Sequence, residues 1–125
     1  MKKLSLGFAT VLVLMATSAF ALVLDGSYTF TSRSKEGQPD MAGWTGTMTI
    51  QGTEMSRTYQ SADGTQKKFY TSTIQPDGSI YVLTHTKAYK PEYVGNAHRT
   101  KFSAAGSNFT MESEDGKFKE TWTKK

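Results

Sequence analysis

The sequence predicts an all-β domain: eight short antiparallel strands in a meander that closes into an up-and-down barrel. Three observations lead there. Runs of alternating Thr, Ser, Tyr and Phe recur from residue 26 to residue 124, with no helical period among them. Turn-forming pairs and triplets punctuate these runs about every ten residues, the spacing of sandwiches and barrels. The loops, read as hairpins, bring nearly all the large apolar residues onto one face. A two-sheet β-sandwich would bury the same face and stands as the alternative.

The runs are 26–32, 44–51, 54–61, 66–75, 79–88, 97–104, 107–113 and 117–124. Gly52-Thr53, as a two-residue turn, sets Ile50 opposite Met55 and Met48 opposite Arg57. Asp63-Gly64 sets Tyr59 opposite Lys68 and Arg57 opposite Tyr70. Pro76-Asp77-Gly78, read as a three-residue turn with Gly in the left-handed position, sets Ile74 opposite Ile80. Ala105-Gly106 sets Phe102 opposite Phe109; Asp115-Gly116 sets Met111 opposite Glu120 and Phe109 opposite Trp122. One dry face then holds Trp44, Met48, Ile50, Met55, Tyr59, Tyr70, Ile74, Ile80, Val82, Phe102, Phe109, Met111, Phe118 and Trp122, with Tyr28 and Phe30 continuing it into the first strand. The other face is mostly Thr, Ser, Lys and Gln. Turn chemistry and side-chain alternation agree, which is the consistency expected of a foldable sequence. Two connections are longer, 33–43 and 89–96.

Ahead of the first strand, the sequence has the pattern of a cleavable export signal. Lys2 and Lys3 are followed by an uncharged stretch from Leu4 to Leu24, and Ala19-Phe20-Ala21 has the small-x-small spacing of a cleavage site. The stretch is close to the ~20 residues of a membrane span, so an uncleaved anchor is the rival; the Ala-Phe-Ala site favours cleavage. The expected domains are a signal at 1–21 and one β-barrel at 22–125, a periplasmic or secreted protein of bacterial type with no membrane span after cleavage. Removing 21 of 125 residues leaves 104, and removing Lys2 and Lys3 takes 15 basic residues to 13 against 11 acidic. A near-balanced chain without a basic run gives no footprint for nucleic acid. Without cysteine there is no disulfide, so the fold must rest on its own core.

An eight-stranded meander behind an export signal resembles the lipocalin and wider calycin group. Asp25-Gly26-Ser27-Tyr28 stands where that family has Gly-x-Trp, with Tyr28 in place of the Trp. The loop signature Thr-Asp-Tyr is replaced by Ala105-Gly106, and Lys119 and Lys124 stand in the last strand where the family packs an Arg on the Trp. The resemblance implies a barrel that holds a small ligand.

Catalytic and metal signals are sparse. No Gly-x-Ser-x-Gly elbow is present. The only histidines, His85 and His98, are read on opposite faces, so a transition-metal site has little to draw on, and no cofactor is expected. The informative residues are polar ones on the dry face. Arg57 lies between Met55 and Tyr59, Glu120 lies between Phe118 and Trp122, and His98 shares their face. Their strands stand three apart in a closed barrel, on the order of 14 Å along the wall; the chord across the lumen is shorter, and a long Arg side chain can cover much of it. Either the two charges pair structurally, or they line a pocket and fix the polar end of a ligand. The candidate ligand-binding set is Tyr28, Trp44, Met48, Arg57, Tyr59, Tyr70, His98, Glu120 and Trp122. These aromatics could instead fill a small barrel solid. The Ile74–Ile80 register also leaves Phe69, Tyr81 and Leu83 together on the wet face, an apolar patch for a protein partner or for self-association. The expected function is therefore a non-catalytic binding protein for a small apolar or amphipathic ligand. The alternative is an interaction or inhibitor protein with a solid barrel.

Overall fold

The computed structural model describes residues 24–38 and 40–125; the expected signal at 1–21 lies outside the described residues. Eight strands follow one another: β1 (Gly26–Lys35), β2 (Thr45–Gln51), β3 (Glu54–Gln60), β4 (Lys67–Asp77), β5 (Ile80–Ala88), β6 (Ala97–Ala105), β7 (Asn108–Ser113) and β8 (Phe118–Lys124), with one 3₁₀ turn, Pro91–Tyr93, between β5 and β6. Each strand pairs antiparallel with its chain neighbours and β8 returns to β1, so the sheet is a closed barrel. Closure satisfies the backbone groups that an open edge would leave unpaired. The architecture is compatible with a lipocalin-like barrel. Lys124 pairs with Tyr28, its Nζ 6.0 Å from the centre of the tyrosine ring.

Most of the register follows the hairpin arithmetic. Met48 faces Arg57, Ile50 faces Met55, Arg57 faces Tyr70, Met111 faces Glu120 and Phe109 faces Trp122. Two turns differ, for one physical reason. Gly52, Gly78 and Gly106 each open a two-residue turn, at φ of 62°, 63° and 61°. Primed turns need positive φ at their first central residue, and Gly supplies it without a steric penalty. The β6–β7 turn is thus Gly106-Ser107, and Phe102 faces Met111 instead of Phe109. That shift is by two residues, so faces are kept. The β4–β5 turn is Gly78-Ser79, and Ile74 faces Leu83 instead of Ile80. This shift is odd, and an odd shift exchanges the two faces of a strand.

The exterior patch expected at Phe69, Tyr81 and Leu83 therefore does not exist. Leu83 is 3 % exposed, Tyr81 packs half-buried against the core in a stack with Phe102 at 4.6 Å, and only Phe69 stays outside, at 44 %. Leu83→Thr is expected to destabilise the barrel by about 2–4 kcal/mol through lost packing and a buried hydroxyl. Phe69→Thr is expected to stay within about 0.5 kcal/mol. Urea unfolding of the two variants checks the pair.

The barrel has two unlike ends. At the end carrying turns 52–53, 78–79 and 106–107, the interior is filled by Tyr28, Met48, Ile50, Met55, Ile74, Phe109 and Trp122, all buried. The Tyr28 hydroxyl donates to the Leu24 carbonyl at 2.5 Å and the Gly52 amide donates to Asp25 Oδ1 at 3.0 Å, pinning Leu24 and Asp25 over this end. Longer connections, 36–44, 61–66, 89–96 and 114–117, ring the opposite end. Gly46 serves the junction: a Cβ there would lie 2.8 Å from the Thr58 carbonyl oxygen and 3.0 Å from Phe30 Cβ. Its missing side chain lets Phe30 meet Tyr59 edge-on, ring centres 5.5 Å apart. In β1 the pairing with β8 skips Thr31: Phe30 faces Trp122 and Ser32 faces Thr121. This bulge reverses the alternation beyond it. Arg33 then faces Glu120 and Lys35 faces Phe118.

Candidate functional site

The unfilled end of the barrel encloses a cavity of about 390 Å³. Its deepest polar group is a buried network. Glu120, 1 % exposed, accepts through one oxygen, Oε1, from the Tyr59 hydroxyl at 2.7 Å and from Trp122 Nε1 at 2.9 Å. Arg57, 7 % exposed, brings Nη1 to 3.5 Å of the same oxygen and donates to the Tyr59 hydroxyl at 3.3 Å. The Arg thus spans the lumen from β3 to β8. Its guanidinium lies 5.1 Å from the centre of the Tyr70 ring, and its buried Nε has no hydrogen-bond partner among the described residues. Burial lifts the Tyr59 hydroxyl well above its ordinary value, with the neighbouring carboxylate adding to burial against the opposing pull of Arg57. It remains a neutral donor.

One wall carries the two histidines. Because β5 is turned over relative to the sequence reading, His85 points inward and meets His98, ring centres 5.0 Å apart; the expected separation of the pair is corrected. Ser72, fully buried, bonds His85 Nδ1 at 2.8 Å and fixes the ring. Tyr70 stacks on the other side of His85 at 4.9 Å. Among the described residues no group of three or more His, Cys, Asp or Glu side chains comes together as a metal site. Burial, with Arg57 and His98 adding repulsion, holds His85 down at about 4; His98 is lowered by burial, then by Arg57 and Lys35. Both imidazoles are neutral near pH 7.

The sign of the resulting pH dependence is definite. Below pH 6.5 the unfolded chain takes up the His85 proton, while the folded chain resists until about 4. Stability present above 6.5 is therefore expected to fall as the pH drops through this interval, by up to about 3 kcal/mol from this residue. His98 acts in the same direction. Urea unfolding between pH 7 and pH 4 is expected to give a shallower loss for His85→Gln than for the unaltered protein.

The mouth is cationic and aromatic. Arg33, Lys35 and Lys68 line it together with Tyr89, Tyr93, Asn96 and Phe118. Tyr70 and Tyr93 are nearly parallel, 19° apart with centres at 6.4 Å, and Tyr89 stands edge-on to both. Burial and then the neighbouring Tyr89 push the Tyr70 hydroxyl up to about 12. Lys68 is lowered by burial, then by Arg33.

Of the nine residues expected to hold a ligand, Arg57, Tyr59, Tyr70, His98 and Glu120 line this cavity. Tyr28, Met48 and Trp122 lie in the filled half, and Trp44 packs half-buried beside the core with Lys68 Nζ 5.3 Å from its ring centre. The sequence reading missed Arg33, Lys35, His85, Tyr89 and Tyr93. The Gly-first turn rule would have found His85. The bulge that turns Arg33 and Lys35 inward has no signature of its own in residues 30–32.

Among the described residues no helix is long and apolar enough to cross a membrane. No protein-family model matches this sequence, and neither a curated protein nor a solved structure matches it.

Proposed function

We propose that the protein is an exported, non-catalytic binding protein that holds a small, partly apolar ligand in the open half of its barrel. The observation that supports this reading most is the division of the interior. One half is packed solid and supplies the stability. The other keeps about 390 Å³ of space floored by a buried Arg57–Glu120 network and walled by aromatic rings. Apolar walls with a few convergent polar groups are the usual make-up of a small-molecule site, and the volume lies at the small end of such sites. The lipocalin-like architecture adds an analogy in the same direction. Ser72, the hydroxyl bonded to His85, is fully buried and acts as a strut for the ring, not as an exposed nucleophile. The interaction-protein alternative loses its proposed surface with the burial of Leu83.

Native mass spectrometry of the exported, processed protein tests the proposal. The expected result is a small-molecule adduct that disappears on denaturation. A bare monomer mass that no panel of small organic compounds shifts would overturn it, and a bare mass with a dimer would restore the interaction reading.

A further inference from the structure

The cations of the cavity are arranged differently from those outside it. Arg99, on the exterior, is neutralised by Asp77 at 2.9 Å and Glu114 at 3.0 Å. In the cavity, Arg33, Lys35, Arg57 and Lys68 face a single lining carboxylate, Glu120. That carboxylate is withdrawn: it is 1 % exposed and already holds Tyr59, Trp122 and Arg57. Among the described residues, Arg33, Lys35 and Lys68 form no ion pair. Three of the four cations rest on ring faces instead. Arg33 lies 5.0 Å from the centre of the Phe118 ring, Arg57 lies 5.1 Å from Tyr70 and Lys68 lies 5.3 Å from Trp44. An aromatic face orients a cation but leaves its charge uncompensated. Arg33, Lys35 and Lys68 are therefore gathered beside the paired Arg57 without a carboxylate of their own among the described residues.

Resting on the reading of this cavity as a ligand site, we propose that its ligand is an organic anion with a flat, unsaturated body, the acidic group taken by Arg57, Arg33 and Lys35 and the flat body lying against Tyr70 and Tyr93. Arg57 carries a buried Nε still free to donate, and a guanidinium matches a carboxylate in geometry. The near-parallel Tyr70 and Tyr93 rings present faces to a planar group, and the cavity volume suits one or two fused rings. A neutral ligand would leave the four cations as they are and gain only from the walls.

Two probes of one shape separate charge from fit: 2-naphthoate and its neutral counterpart 2-naphthamide, measured by titration calorimetry against the processed protein. The naphthoate is expected to bind about tenfold or more tightly than the amide, with affinity falling as salt is raised. Arg33→Gln combined with Lys35→Gln, both at the mouth and outside the core, is expected to lower naphthoate affinity about tenfold and bring the two probes close to equal. Arg99→Gln, which removes an exterior cation, is expected to leave naphthoate binding unchanged. Thermal unfolding confirms that the variants are folded. Equal binding of the two probes, or stronger binding of the amide, would overturn the anion assignment while leaving the binding function standing. Binding of neither probe, together with a bare native mass, would remove both.

Discussion

Replacing Arg57 with Met is expected to destabilise the barrel by about 3–5 kcal/mol, because it leaves the Glu120 carboxylate buried without its counter-charge. The carboxylate is almost wholly removed from water, and its remaining donors, the Tyr59 hydroxyl and Trp122 Nε1, are neutral. They can orient a negative charge but cannot cancel it. Glu120→Gln is expected to cost less than Arg57→Met. It keeps an oxygen for Tyr59 or Trp122, and the guanidinium it strands still rests on the Tyr70 ring. The double variant is expected to be more stable than Arg57→Met alone, since no isolated charge is left inside. Urea unfolding of the two single variants and the double variant closes a cycle in which the coupling is read directly. Additivity of the three values would show that the pair does not act as a unit in the folded state. The same cycle also separates stability from recognition: Arg57→Met is expected to abolish binding of an acidic probe even under conditions where the variant remains folded.

Trp122→Ala is expected to cost about 3–5 kcal/mol, a large part of the stability of a domain this size. The residue is 0 % exposed and stands where the filled half of the barrel meets the open half. Its ring meets Phe30 edge-on at 5.3 Å and Tyr59 at 5.7 Å, and its indole N–H is one of the donors that hold Glu120. Truncation removes the packing and the donor together. Trp122→Phe keeps most of the volume and loses the donor alone, so a smaller cost of about 1–3 kcal/mol is expected. Urea unfolding followed by far-ultraviolet circular dichroism distinguishes the two. A similar cost for both variants would assign the residue's role to the hydrogen bond instead of to packing.

Much of the architecture was legible because the sequence states it twice, in alternation and in turns. Met48, Ile50 and Met55 were placed inside by both signals, and the structure buries all three. Arg57 and Glu120 could be read as inward because each interrupts an apolar series at a position of known parity. Legibility failed where one residue decides parity. Pro76-Asp77-Gly78 offered two turns of different length, and choosing between them moved Leu83 and His85 from one side of the wall to the other. The Tyr89–Tyr93 cluster was unreadable for another reason. Residues 89–96 carry no strand period, and their place over the mouth is set by contacts with a partner strand, such as the Tyr89 amide donating to the Phe69 carbonyl at 3.0 Å. The open or solid interior could not be decided from composition, because the barrel is filled at one end and hollow at the other.

The skipped pairing at Thr31 makes the chemistry of the mouth depend on reading frame. Upstream of it, β1 contributes Tyr28 and Phe30 to the packed half; downstream, the same strand contributes Arg33 and Lys35 to the cavity. Were Thr31 instead paired regularly with Thr121, Ser32 would meet Glu120 and Ser34 would meet Phe118, and these two side chains would point inward, since each step along a strand changes sides. A barrel altered in this way would keep its apolar floor and its hairpins but exchange two positive charges for two hydroxyls. The pairing of one strand, and not only its composition, thus controls the polarity of the lumen. One unpaired residue decides which side chains of β1 meet a molecule in the lumen, with no change in the core.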